Sequence, residues 1–128
     1  MYAITNYLLH IVLSSGLIAI FLWVYTAVTP LDEFLLIRQG NAAAALSLGG
    51  ALIGFSLTIA STVIHTADYR EFVAWAAGAM VVQLLVYAVT TKVLRMSKEH
   101  IESGNVAFGG LMGAISLAVG AVNAACIS

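Results

Sequence analysis

Long apolar runs alternate with short polar clusters along this chain. Four stretches, roughly 4–28, 42–66, 72–91 and 105–127, contain no Asp, Glu, Lys or Arg. The charges gather between them: Asp32, Glu33 and Arg38; Asp68, Arg70 and Glu71; then Lys92, Arg95, Lys98, Glu99 and Glu102. Each run is about 20 residues or longer, enough for a helix to cross ~30 Å of hydrocarbon. The pattern predicts an all-α integral membrane protein with four transmembrane helices in a single membrane domain, residues 1–128.

Small and polar residues recur within the spans at steps of three and four. The second span carries Ala43, Ser47, Gly50, Gly54, Thr58, Ser61 and His65 on one face; the fourth carries Gly109, Gly113, Ser116, Gly120 and Asn123. In lipid the hydrophobic effect does not drive helices together, and small residues do so by letting backbones approach. The second and fourth spans should therefore make the inner contacts, with Gly50, Gly54, Gly109, Gly113 and Gly120 as packing positions. The Leu- and Val-rich first and third spans should face more lipid.

One short motif occurs twice. Ile37-x-x-Gly40-Asn41-x-Ala43 returns 64 residues later as Ile101-x-x-Gly104-Asn105-x-Ala107. Each half, 1–64 and 65–128, holds two crossings, so both halves enter and leave on the same side. That predicts two tandem hairpins of parallel orientation, related by a pseudo-two-fold axis along the membrane normal. Asn41 and Asn105 stand where a loop becomes a helix. Asn is a good N-cap, and the preceding Gly allows a sharp turn. The two are expected to be caps of comparable weight. Alternatively, two helix N-termini side by side would form an anion-attracting mouth. Ahead of the first copy, "TPLDEFLLIRQG" reads as a short helix, with Thr29 as N-cap, Pro30 at the first position and Asp32 completing a capping box. Its Phe34, Leu35 and Ile37 should lie in the membrane interface. "SKEHIESG" (97–104) is the weaker equivalent.

Composition and charge agree with a membrane protein. Sixty-two per cent of residues are hydrophobic and 9% charged, against about a quarter charged in soluble domains. Arg38, Lys92, Arg95 and Lys98 lie in the first and third connections, against Arg70 alone in the second. The positive-inside rule then puts the two richer connections in the cytoplasm and both termini outside. Tyr2, Tyr7, Tyr69 and Trp75 would anchor the outer interface, Trp23 and Tyr25 the inner one. Residues 1–10 contain no Lys or Arg, so the first span reads as a mature helix and not a signal peptide. A net charge of −1 without a basic stripe argues against nucleic acid as a partner.

With no acidic or basic residue in a predicted hydrocarbon core, proton-coupled exporters that depend on an intramembrane carboxylate are disfavoured. Gln83, on a face with Ala76, Ala79, Met80 and Tyr87, and Asn123 remain as buried amides at different depths. They either clamp helices together or line a polar pore or binding groove. Cys126 is alone and reads as a small apolar filler. His10, His65 and His100 fall near interfaces, at spacings that fit no metal motif. His65, Asp68 and Glu71 read as a solvated loop. No catalytic motif and no cofactor motif is present, so a non-enzymatic protein is expected.

A run of residues resembles the YjfL-like inner-membrane family of bacteria, the domain of unknown function numbered 350. The points of similarity are Thr29-Pro30, Asp32-Glu33, Leu36-Ile37, Asn41 with Ala42–Ala45, Gly49 and Gly54-Phe55. They continue through Asp68-Tyr69, Ala74-Trp75, Gln83-Leu84-Leu85, Asn105, Gly113, Gly120 and the closing "VNAAC". The resemblance implies a multi-pass inner-membrane protein and supplies no reaction. The reading that follows is an oligomeric membrane partner in a larger assembly, its partners being lipid, copies of itself and other membrane proteins. The alternative is a small channel or transporter for an ion or small solute.

Overall fold

The structure, a computed structural model, describes residues 2–29, 32–66, 68–93 and 98–127. Six helices follow in order: α1 (Tyr2–Val28), α2 (Glu33–Arg38), α3 (Ala42–His65), α4 (Tyr69–Val93), α5 (Lys98–Glu102) and α6 (Val106–Cys126). The described residues contain no strand. α1, α3, α4 and α6 are each long and apolar enough to cross a membrane. α4 starts three residues earlier than its uncharged run, because the Asp68 carboxylate accepts a hydrogen bond from the Arg70 amide at 2.9 Å and opens the helix there.

α3 and α6 form the most extensive helix pair. Their contacts climb together: Ala43 against Gly109, Gly50 against Gly113, Gly54 against Ser116 and Gly120. The two helices are therefore parallel and in register. A Cβ added to Gly50, Gly109, Gly113 or Gly120 would overlap backbone atoms of the other helix. Two hydroxyls extend the seam, Thr58 donating to the Gly120 carbonyl at 3.2 Å and Ser61 to that of Ala124 at 2.6 Å.

α1 and α4 lean on this pair and also run in the same direction. The Tyr69 hydroxyl donates to Asn6 at 3.1 Å near one end of the bundle, and the Tyr25 and Tyr87 rings meet edge-on at 6.1 Å near the other. Phe21 stacks on Phe55 with centroids 4.3 Å apart, which docks α1 on α3. Half of the membrane-length window of α3 is buried, but only 17% of that of α1. The exposed side of α1 is Ile4, Leu8, Val12 and Trp23, the surface that hydrocarbon covers.

α2 and α5 sit at the end of the bundle where α3 and α6 begin. Two residues beyond the end of each comes a glycine with positive φ, Gly40 at 84° and Gly104 at 83°, a conformation that L side chains rarely adopt. Each is followed by an Asn cap. Asn41 Oδ1 accepts from the Ala44 amide at 3.0 Å, and Asn105 Oδ1 from that of Phe108 at 3.1 Å. Asn41 does more than cap: its Nδ2 donates to the Ile101 carbonyl at 2.7 Å and ties the end of α5 to the start of α3.

The opening of α2 differs from the sequence expectation. Its N-cap is Asp32, which accepts from the Leu35 amide at 3.3 Å. Thr29 instead closes α1. Its amide donates to the Tyr25 carbonyl at 2.9 Å and satisfies it; its hydroxyl oxygen lies 2.9 Å from the same carbonyl and 2.6 Å from the Glu33 carboxyl. Pro30 lies outside the described residues. Phe34 and Leu35 are exposed, but Ile37 turns inward against the core.

Two stability predictions follow from this packing. Gly50→Leu or Gly113→Leu should destabilise the bundle by at least the ~1–3 kcal/mol typical of overpacking. Gly78→Leu on α4, where nothing lies within 4 Å, should be tolerated. Equal thermal unfolding of all three variants in detergent would refute the seam. Asn41→Ala should cost more than the ~1 kcal/mol of a lost cap, and more than Asn105→Ala. Asn41→Asp should recover only the capping part. Denaturant titration of the three variants measures the order.

A buried polar column as the candidate functional site

Gln83 projects from α4 into the junction of α3, α4 and α6 and is 1% exposed. Its Nε2 donates to the Ser116 carbonyl at 3.1 Å. The amide fits because position 54 is glycine: a Cβ there would meet both Gln83 Nε2 and the Ser116 carbonyl oxygen. Gln83 Oε1 and the neighbouring Ser116 hydroxyl are buried with no hydrogen-bond partner among the described residues.

One turn along α4, toward the α2/α5 end, stands Tyr87. Its ring meets that of Tyr25, which is 1% exposed and whose hydroxyl is also buried without a described partner. Beyond Tyr25 is Glu33. α2 folds back toward the bundle, and the Glu33 side chain enters it, leaving the residue 2% exposed. One carboxylate oxygen, Oε1, accepts the Thr29 hydroxyl at 2.6 Å. The other, Oε2, has no partner among the described residues.

Burial is the main cause that pushes the Glu33 carboxyl above the usual carboxylate range, and the charge of adjacent Asp32 pushes the same way. The Thr29 hydrogen bond pulls down, because it stabilises the charged form. The sequence pattern placed Glu33 in the charge cluster between the first two spans, with Asp32 and Arg38. No local signal marked its burial, because helical spacing does not carry across the break between α1 and α2.

The remaining candidates lie elsewhere. Asn123 is half-buried toward the far end of α6, about 10 Å along the helix from Ser116 by the rise per residue. The structure does not bring it to Gln83. Asn41 and Asn105 lie side by side at the starts of the parallel helices, and each already occupies a first-turn amide that an anion would need. Gly50, Gly54, Gly109, Gly113 and Gly120 all lie in the α3–α6 seam. His10 packs against Tyr69 and Phe72, and His65 bonds back to Ser61. Among the described residues no three His, Cys, Asp or Glu side chains come together.

The column therefore consists of one carboxyl, two phenols, one amide and one hydroxyl, running from the α2/α5 end to the middle of the bundle. Buried polar groups are nearly always paired. Four unpaired atoms along one seam make it a place for internal water or a small polar ligand.

Comparison with known proteins places this architecture. The model of the family described as Domain of Unknown Function (DUF350) matches residues 1–127. The chain is 36% identical over 113 residues to the UPF0719 inner membrane protein YjfL of Escherichia coli strain K12, covering 88% of this chain and 86% of that protein. The protein of the same name from Escherichia coli O157:H7 matches to the same extent. No solved structure matches. With a family match over residues 1–127 and a relative 36% identical over 88% of its length, the chain belongs to the DUF350 family.

Proposed function

We propose that this protein is a non-enzymatic, multi-pass component of the bacterial inner membrane that acts as a homo-oligomer and as a membrane partner in a larger assembly. The similarity to an inner membrane protein of E. coli supports the location. The bias of Lys and Arg toward the first and third connections supports placing the α2/α5 end in the cytoplasm and both termini outside. A duplicated hairpin accounts for the frame: α1 and α4 are parallel, α3 and α6 are parallel, and the two glycine–asparagine corners have matching geometry.

One observation carries the oligomeric reading. Beside its seam the α3–α6 pair has an open groove. Ala45, Gly49, Gly110 and Ala114 line it together with the edge of the seam at Gly50 and Gly113, and Leu46, Ile53 and Leu117 flank it. Nothing lies within 4 Å of the position that a Gly49 side chain would take. Glycine in a helix costs about 1 kcal/mol relative to alanine, with no return against fluid lipid. A helix from a second copy, packing its backbone into the groove, supplies the return.

The second reading is passage of an ion or small solute, and the unpaired Gln83 Oε1 and Ser116 hydroxyl favour it. A clamp would leave neither atom without a partner.

The readings separate by experiment. Gly49→Leu, alone or with Gly110→Leu, should dissociate the oligomer while the monomer unfolds at an unchanged temperature. Ala114→Cys in a Cys126→Ser background should form a disulfide dimer in lipid vesicles. Size-exclusion with light scattering and non-reducing gels report both, and a monomer throughout would end the oligomeric reading. For orientation, an impermeant thiol reagent applied to intact cells should label a Cys at Asp68 and spare one at Glu99; the reverse pattern inverts the topology. Gln83→Leu with intact folding and abolished ion flux in vesicles would promote the transport reading; lost stability where the unsubstituted protein has no flux would leave Gln83 as a clamp.

A further inference from the structure

A carboxylate inside a helix bundle needs a proton, a metal cation or a basic side chain, because an unpaired buried charge is very expensive. At Glu33 the described surroundings supply no basic partner. The titratable groups that face it are Tyr25 from α1, Tyr87 from α4 and Asp32 beside it. α3 has no acidic or basic residue before His65 at its far end. Asp32 only adds negative charge.

The oxygen inventory decides between the other two. A hard metal cation takes six or more oxygen ligands. The described site has one inward carboxyl, one threonine hydroxyl already bonded to it, and the phenols of Tyr25 and Tyr87. That set is too small for a metal but fits a proton. Oε1 is engaged by Thr29, which leaves Oε2 as the atom to protonate. The Tyr25 hydroxyl, equally buried and unpartnered, can both donate to and accept from a water that receives the new O–H.

We infer that Glu33 and Tyr25 form a proton-binding site at the α2/α5 end of the bundle, completed by internal water. Glu33 Oε2 takes one proton from a hydronium ion and releases one water. Tyr25 and the water hold the acid in place, and Tyr87 carries the polar column onward to Gln83. The site is intrinsic to one copy of the chain, so it stands apart from the oligomeric reading.

The chain has six acidic side chains, and the other five, Asp32, Asp68, Glu71, Glu99 and Glu102, are exposed. A carboxylic acid that survives beyond the ordinary carboxylate range is therefore Glu33. The test is infrared spectroscopy of the whole protein in phosphatidylcholine vesicles, with the carbonyl stretch of the protonated acid followed against pH. One band should persist after the exposed carboxyls have ionised, and it should be missing in Glu33→Gln. Thermal unfolding gives a second readout with a fixed sign. The folded protein holds a proton that the unfolded chain gives up, so the contribution of this group is complete at acid pH and lost as pH rises through the folded value. The unsubstituted protein should melt lower with rising pH, and Glu33→Gln should lose that decline. A band gone within the ordinary carboxylate range overturns the assignment. So does recovery of alkaline melting by sodium or potassium chloride in the unsubstituted protein but not in Glu33→Gln, which would make the site a metal-cation site. If Glu33→Gln fails to assemble, the band titration of the unsubstituted protein decides alone.

Discussion

An apolar side chain in hydrocarbon gains almost nothing by leaving lipid for protein, so the bundle depends on contacts that lipid cannot make. The α3–α6 seam supplies them. Gly50, Gly54, Gly109, Gly113 and Gly120 bring two parallel backbones into direct contact over most of their length. Dispersion between close-packed backbones and hydroxyl bonds such as Thr58 to Gly120 take the place of the missing hydrophobic drive. α1 needs no such seam. It is held by the Phe21–Phe55 stack, ring contacts to Tyr69, Phe72 and Tyr87 and the Tyr69–Asn6 hydrogen bond, and it spends most of its surface on lipid.

The two glycine–asparagine corners match, and the polar column has no counterpart. Positions 64 residues apart share a corner at Gly40-Asn41 and Gly104-Asn105. At the same offset Tyr25 faces Val89, Thr29 faces Val93, Gln83 faces Ala19 and Glu33 faces Ser97. Under the duplicated-hairpin reading the corners were kept, while the seam glycines diverged: Gly50, Gly54, Gly109 and Gly120 correspond to Ala114, Ala118, Ala45 and Ser56. The polar residues are free to differ, since a single column needs only one of each. Asn41 shows the same divergence on a smaller scale, with its bond to the Ile101 carbonyl added to the cap.

The column also modifies the functional reading. The four long spans contain no buried carboxylate, which disfavours proton-coupled chemistry. The short helix α2 brings one in from outside the spans. Because α2 is only six residues long and packs at the bundle end, the environment of Glu33 depends on how that helix seats. Any ligand that occupies Oε2 is therefore linked to the docking of α2 through a single side chain.

The hydrophobic pattern alone determined the class, the number of long helices and nearly all of their boundaries, because crossing hydrocarbon imposes a length and an absence of charge that are visible residue by residue. Spacings of three and four marked the small-residue faces, since a helix repeats at that interval, and the glycine–asparagine pairs marked the corners. Tertiary structure alone decided what those faces meet. Both Gly49 and Gly50 read as helix glycines, yet one is pressed against Gly113 and the other opens onto the lipid face. Gln83 was visible as a buried amide, but its partner on α6 was not. Glu33 was hidden most completely. A charge beside a span reads as solvated, and only the fold-back of α2 after Thr29 shows that it points inward. The seating of α2 rests on contacts between residues far apart in sequence, such as Ile37 with the core of the bundle, and local pattern carries no record of them.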